Sequence, residues 1–238
     1  MREARVDRAL CICTTLEEFE RVHALALGDE GFWCSVGVHP DEEDSREPTV
    51  DELVARAALP KVVAIGETGL DYYRLGDRSV DEMAWQRERF RTHVRAARAS
   101  RRPLVIHTRS ASSDTLAVLR EEEGERAGGV FHCFTETAEV ARAALDLGFY
   151  ISFSGILTFK NAADLRDVAA FVPLDRCLIE TDSPYLAPMP LRGKLNTPAN
   201  VPLVAAKLAE VQGVSVERIA ETTATNFERL FLRTVPRT

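Results

Sequence analysis

Five side chains able to bind metals or move protons fall where apolar, strand-like runs end: His39, Glu67, His107, His132 and Asp182. Imidazole and carboxylate together suit zinc, manganese or iron, and magnesium where oxygen donors dominate. A carboxylate can bridge two cations. Such a pair polarises a phosphoryl or carbonyl oxygen and makes hydroxide from bound water at neutral pH. A nearby Asp can orient that water or take its proton. Each residue also has a plain structural reading. His39 precedes Pro40 and reads equally as a turn histidine. Glu67 alone could be a loop carboxylate, and Asp182 in Asp182-Ser183-Pro184 a turn residue. The plain readings would have to hold together at four or five positions, so a metal site is the better account.

Further polar residues follow the same runs. Arg109, two residues past His107, could meet a phosphate with a bidentate fork or pair with a neighbouring carboxylate. Arg192, Lys194 and Asn196 lie after Asp182 and read either as phosphate contacts or as a solvated loop. The other two histidines, His23 and His93, fall in helical patterns. His93, within Phe90-Arg91-Thr92-His93-Val94, reads as a helix-surface or packing residue rather than a ligand.

The elements that must position these groups alternate from end to end. Val62-Val63-Ala64-Ile65 is apolar on both faces, as in a parallel strand covered by helices, and runs out at Gly66-Glu67-Thr68-Gly69. Other strands are expected at 8–14, 32–38, 103–106, 129–131, 149–153 and 176–179. Helices are expected at 16–27, 49–59, 83–100, 112–123 and 137–147, then one ending at Phe171, then 201–212 and 216–232. Thr49 with Glu52 three residues on spells a capping box, Ser112 or Ser113 is the expected cap of the 112–123 helix, and Gly148 stops the helix before it. Strict βα alternation predicts a parallel sheet with helical crossovers in one domain over 1–238. A (β/α)8 TIM-type barrel gathers strand ends at one mouth, whereas an open doubly wound sheet lays them in a row, so the barrel is preferred. The count is seven strands, not eight. Residues 3–7 read as the tail of a helix, so the first βα unit is expected to be absent from the front of the chain.

Bulk properties narrow the function. The 238 residues, 45% hydrophobic, suit one α/β barrel. A net charge of −7 with pI near 5.4 rules out a general basic coat, so nucleic acid would be met at a local site. No run approaches a membrane span, and the first residues lack a secretory h-region. Cys11, Cys13, Cys34, Cys133 and Cys177 lie in apolar runs without a disulfide framework and read as buried thiols in a reducing cytoplasm.

Gly37-Val38-His39-Pro40, Gly66-Glu67-Thr68-Gly69-Leu70-Asp71-Tyr72, Val105-Ile106-His107-Thr108-Arg109, Phe131-His132-Cys133-Phe134 and Glu180-Thr181-Asp182-Ser183-Pro184-Tyr185-Leu186 together resemble the TatD family, metal-dependent hydrolases of the amidohydrolase superfamily. The resemblance covers essentially the whole chain in order, and Arg192-Gly193-Lys194 with Asn196 and Pro198 fits it. It implies a (β/α)8 barrel with two divalent cations (Mg, Mn or Zn). Glu67 would bridge them, His107 and His132 would hold one, and Asp182 would ligate the other and position the attacking water. Apart from the resemblance, His39, Arg109, Arg192 and Lys194 are the expected substrate contacts. The family includes magnesium-dependent deoxyribonucleases with 3′-to-5′ exonuclease activity, and removal of D-amino acids from tRNA is attributed to some members. The family's opening strand carries His-x-His, which is absent from this chain. Either translation starts further upstream or the protein lacks that unit.

The expected function is therefore metal-dependent phosphodiester hydrolysis at DNA ends, with no membrane and no obligate protein partner. An ester or amide hydrolase such as a D-aminoacyl-tRNA deacylase, and a non-catalytic remnant with a vestigial site, are the alternatives.

Overall fold

The computed structural model describes residues 1–232. It contains strands β1 (Ala9–Cys11), β2 (Phe32–Val36), β3 (Val62–Asp71), β4 (Leu104–Arg109), β5 (Gly129–Phe131), β6 (Tyr150–Phe153) and β7 (Cys177–Ile179). Helices are α1 (Phe19–Leu27), α2 (Val50–Ala57), α3 (Ala84–Ser100), α4 (Ser112–Glu121), α5 (Ala138–Asp146), α6 (Ala163–Phe171), α7 (Val201–Gln212) and α8 (Val216–Phe227). Seven strands, each followed by a helix, are the seven expected βα repeats of a (β/α)8-type barrel. Residues 3–7 read as the tail of a helix; the structure has a short 3-10 turn there, Arg2–Ala4, ended by Arg5 in a left-handed conformation. Among the described residues no helix is long and apolar enough to cross a membrane.

Two compact units divide the contacts. One comprises Arg8–Phe131 with Leu147–Phe149; the other comprises Met1–Asp7, His132–Asp146 and the chain from Tyr150 onward. In the first, β1 through β5 pair in parallel in chain order. Every residue of β3 is buried, as a strand covered on both faces requires. Leu53, Ile65, Phe90, Leu104 and Ile106 are fully enclosed around it. The predicted capping box starts α2: Thr49 Oγ1 accepts the Glu52 amide at 3.2 Å, and Glu52 returns a carboxylate to the Thr49 amide at 3.0 Å. By contrast, α4 has Ala111 at its cap position with no side-chain bond, because Ser112 is already helical.

In the second unit β6 pairs in parallel with β7. Buried Asn226 of α8 donates to the carbonyls of Leu174 and Cys177, fixing the helix against the start of β7. Gln212, the last residue of α7, donates to Ala169 and Val172 at the end of α6. Such bonds satisfy carbonyls that a helix end or strand start leaves open.

The longest departure from expectation lies in β3. The sequence places a loop after Ile65, whereas the strand continues to Asp71. Gly66 and Glu67 form an irregularity in the ladder: Ile65 faces Leu104, and the next paired residue is Thr68, facing Ile106. One extra residue re-aims the strand at that point. Glycine is needed there, since a Cβ on Gly66 (φ 146°) would lie 2.6 Å from the Val105 carbonyl oxygen.

Candidate metal centre

Glu67 sits within β3 immediately after Gly66, not at the strand's end. From Glu67 onward the strand period of two puts Glu67 and Asp71 on one face. His107 is inside β4 rather than past it, and its Cα pairs with that of Gly69. His39 lies three residues beyond β2, its amide donating to the Thr14 carbonyl at 2.9 Å.

These residues meet. Glu67 Oε1 is 3.3 Å from His39 Nε2 and 3.3 Å from His107 Nδ1, and ligand atoms of His39, Glu67 and His107 lie within 4.8 Å of one another. The opposite nitrogen of His107, Nε2, is 2.9 Å from Asp71 Oδ2. Asp71 is 3% exposed, and its Oδ1 accepts the Tyr73 amide at 2.8 Å. Burial works to raise the Asp71 carboxyl, but the bonds from His107 and the Tyr73 amide outweigh it and hold the group below the ordinary carboxylate range. Asp71 therefore carries negative charge under the His107 ring.

His39 is held differently. Its Nδ1 accepts the Asp41 amide at 3.0 Å. In the neutral ring the proton then resides on Nε2, which faces Glu67 as a donor. His39 thus turns a proton, not a lone pair, toward Glu67 Oε1 at 3.3 Å.

A second group belongs to the other unit. His132 follows β5 directly, and Asp182 lies three residues past β7 in a left-handed conformation, φ 55°. Ligand atoms of His132, Glu180 and Asp182 lie within 4.8 Å of one another. Glu180 Oε1 is 3.1 Å from His132 Nδ1, and Glu180 Oε2 accepts the Cys133 amide at 3.1 Å. Burial would raise the Glu180 carboxyl; the charge and bond of His132, with bonds from Ser152 and Cys133, lower it instead. His107 and His132, which the resemblance assigns to one cation, fall in different units, and each is grouped with neighbours of its own.

Both donor sets suit a divalent cation. Each couples imidazole nitrogen to carboxylate oxygen, and His107 and His132 each have a ring nitrogen against a carboxylate, the usual support of a metal-binding imidazole. Neither Asp71 nor Glu180 is singled out by the sequence reading, although both stand inside its motifs. The available signals were the four-residue spacing from Glu67 to Asp71 and the neighbouring carboxylates Glu180 and Asp182.

The expected substrate residues are placed as follows. Arg109 ends β4 with its guanidinium carbon 3.6 Å from the centroid of the Tyr73 ring, and Tyr73 is 60% exposed. Arg192 is exposed and lies 4.4 Å over the Phe159 ring, and Lys194 is exposed. Asn196 is not a solvent-facing phosphate contact. It is buried, donating to the carbonyls of Thr181 and Tyr185, and so shapes the loop that carries Asp182. His93 is fully buried in α3, a packing residue, and His23 stacks on Phe19 within α1. Cys13, Cys34 and Cys177 are buried as expected, whereas Cys11 and Cys133 are half-buried; all five are free thiols.

Comparison with known proteins bears on this geometry. A family model described as TatD related DNase matches residues 1–232. The uncharacterized metal-dependent hydrolase YcfH of Escherichia coli K12 is 50% identical over 227 residues, covering 95% of this chain and 83% of that protein. The 3′-5′ ssDNA/RNA exonuclease TatD of Citrobacter rodentium is 35% identical over 234 residues, covering 96% and 88%. The crystal structure of YjjV, a TatD homologue from E. coli K12, superposes with a TM-score of 0.87 at 27% identity, covering 98% of this chain and 89% of that one.

Proposed function

The chain belongs to the TatD family of metal-dependent hydrolases, and from that premise we propose that it cleaves phosphodiester bonds at the 3′ ends of DNA with divalent cations. The observation that carries the reading is the pair of donor groups, Glu67 with His107 and His132 with Asp182, each of imidazole and carboxylate. Cations at these four residues would supply a Lewis acid and a water that ionises near neutral pH. Mg, Mn and Zn are the candidates, and mixed nitrogen and oxygen donors favour Mn or Zn over Mg.

The side chains then divide the work. Asp182 accepts a proton from the attacking water and holds it for the leaving oxygen. His39 turns Nε2 toward Glu67 Oε1 at 3.3 Å and orients that carboxylate. Arg109, braced on the Tyr73 ring, meets a substrate phosphate. Arg192 and Lys194 add exposed positive charge along the departing strand. On a protein of net charge −7, positively charged side chains such as these are where a polyanion would be met. Five free thiols suit a reducing compartment, in keeping with a cytoplasmic enzyme.

The test uses single-stranded DNA labelled at either end, with magnesium, manganese or zinc, beside an aminoacyl-tRNA assay. Stepwise loss from the 3′ end, abolished by chelator and restored by metal, is the expected result. Deacylation without DNA degradation would move the substrate to the tRNA ester. No turnover on either would refute the reading.

A further inference from the structure

We propose that Tyr73 is a stacking platform for a nucleobase of a single-stranded substrate, with Arg109 covering one face of the ring and the base the other. The inference rests on the phosphodiesterase reading above and deepens it, because it names the part of the nucleotide, besides its phosphate, that the site holds.

Strand register places the pair. On β4, His107 and Arg109 are alternate residues and share a face, and their Cα partners on β3 are Gly69 and Asp71. Arg109 thus continues the row that carries His107, about 7 Å farther along the strand. Tyr73 follows Asp71, the last residue of β3, by two positions, and its ring lies against Arg109. All of these residues belong to the unit Arg8–Phe131.

The main chain under the ring is fixed. The Tyr73 amide donates to Asp71 Oδ1 at 2.8 Å, and the Tyr72 amide donates to the Arg109 carbonyl at 2.9 Å. Tyr72 turns inward, buried, with its hydroxyl donating to Asp114 Oδ2 at 2.8 Å. Tyr73 stays outside. Its ring has the Arg109 guanidinium carbon 3.6 Å from the centroid, well inside cation–π range. A ring covered so closely on one face and still 60% exposed presents its other face to solvent.

An exposed tyrosine is ordinary by itself. Here it stands on a fixed main chain, one strand step from a donor group, with a cation already on its inner face. The N–H groups of a guanidinium lie in its plane, so contact with the ring leaves them able to reach a phosphate. The outer face then suits the flat, apolar part of the same polymer. Every base has a π-face, so such a platform is tolerant of sequence. It favours single strands, because a base in a duplex must first leave its stack and its partner.

The test is fluorescence anisotropy, with manganese present, on a 5′-labelled single strand whose 3′ end carries phosphorothioate linkages to block cleavage. One form bears bases throughout; the other is abasic along its 3′-terminal stretch. The readout is the ratio of the two affinities. Wild type should favour the base-bearing form. Tyr73→Ala and Tyr73→Leu should each lower the ratio about 5–150-fold, the worth of one stacked base at about 1–3 kcal/mol. Leu still packs against Arg109, and loss of a mere brace for Arg109 would weaken both forms alike and leave the ratio unchanged. Tyr73→Phe keeps the face and should keep the preference. A ratio unchanged in folded Ala and Leu variants would overturn the proposal. So would a wild type indifferent to the bases, a result that needs no variant to fold. Hydrolysis of an unmodified strand with an unchanged ratio would refute the platform alone. A ratio that falls as stated in a protein that hydrolyses no DNA would leave the platform standing and refute the phosphodiesterase reading alone. Absence of binding to either form would overturn both.

Discussion

The ring of His93 accepts the main-chain amide of Val38 through Nε2 at 2.9 Å. An amide can only donate, so the His93 proton is on Nδ1, where it bonds the Arg89 carbonyl at 2.8 Å. One buried imidazole of α3 thereby ties down the residue that precedes His39.

That bond requires a neutral ring, and burial pushes the His93 pKa down to about 4. The unfolded value is near the ordinary 6.5, so between about 6.5 and 4 the unfolded chain binds the extra proton. The stabilisation is whole above about pH 6.5 and is lost as pH falls through that window, on the order of 3 kcal/mol in all. Urea unfolding from pH 7 to 4 should show this loss, and His93→Gln should flatten the slope by about one proton. Equal slopes in the two proteins would contradict the assignment.

Glu67→Gln should keep the fold, since an amide fills the same space, but it removes the charge that faces both imidazoles. Hydrolysis should fall by more than about 100-fold, because loss of a direct ligand exceeds the 10–100-fold cost of losing a ligand's support. Activity with saturating metal, beside a thermal melt, checks both halves.

Gly69→Ala should be far more damaging than Gly76→Ala. A Cβ on Gly69, at φ 138°, would lie 1.9 Å from the His107 carbonyl oxygen, whereas nothing lies within 4 Å of one on Gly76, at φ 60°. The second change should cost only about 1–2 kcal/mol for the left-handed backbone. The first must also break the β3–β4 ladder, and should leave little soluble protein or a much lower melting temperature.

Thr49→Ala should cost about 1 kcal/mol through loss of the α2 cap. Activity at saturating substrate should be unchanged at temperatures well below melting.

Much of the molecule was legible because local pattern and final structure obey the same rule. Gly213 stops α7 where the helical period ends, and Thr49 with Glu52 forms the predicted box. The extent of β3 was hidden because Gly66 and Gly69, which read as loop glycines, are there for close passage beside β4. The roles of Asp71 and Glu180 are hidden for a related reason. Their partners, His107 and His132, come from other segments, and only strand register or three-dimensional packing shows which carboxylate faces which ring. Asn196 fits neither reading of its charged loop, phosphate contact or solvated residue, because it is buried and satisfies two carbonyls of its own chain.

The glycines beside Glu67 bear on how this scaffold could be redesigned. A Cβ on Gly37 would lie 2.6 Å from the Gly66 main chain, as one on Gly66 would from Val105 and one on Gly69, closer still, from His107. Peptide group meets peptide group across these segments, so the Glu67 carboxylate is gauged against backbone rather than against neighbouring side chains. Loops such as 74–80, beyond the Tyr73 amide that holds Asp71, can then be lengthened or exchanged to accept a different substrate without recalibrating the donor set, and a library confined to them should retain metal affinity while its substrate range drifts.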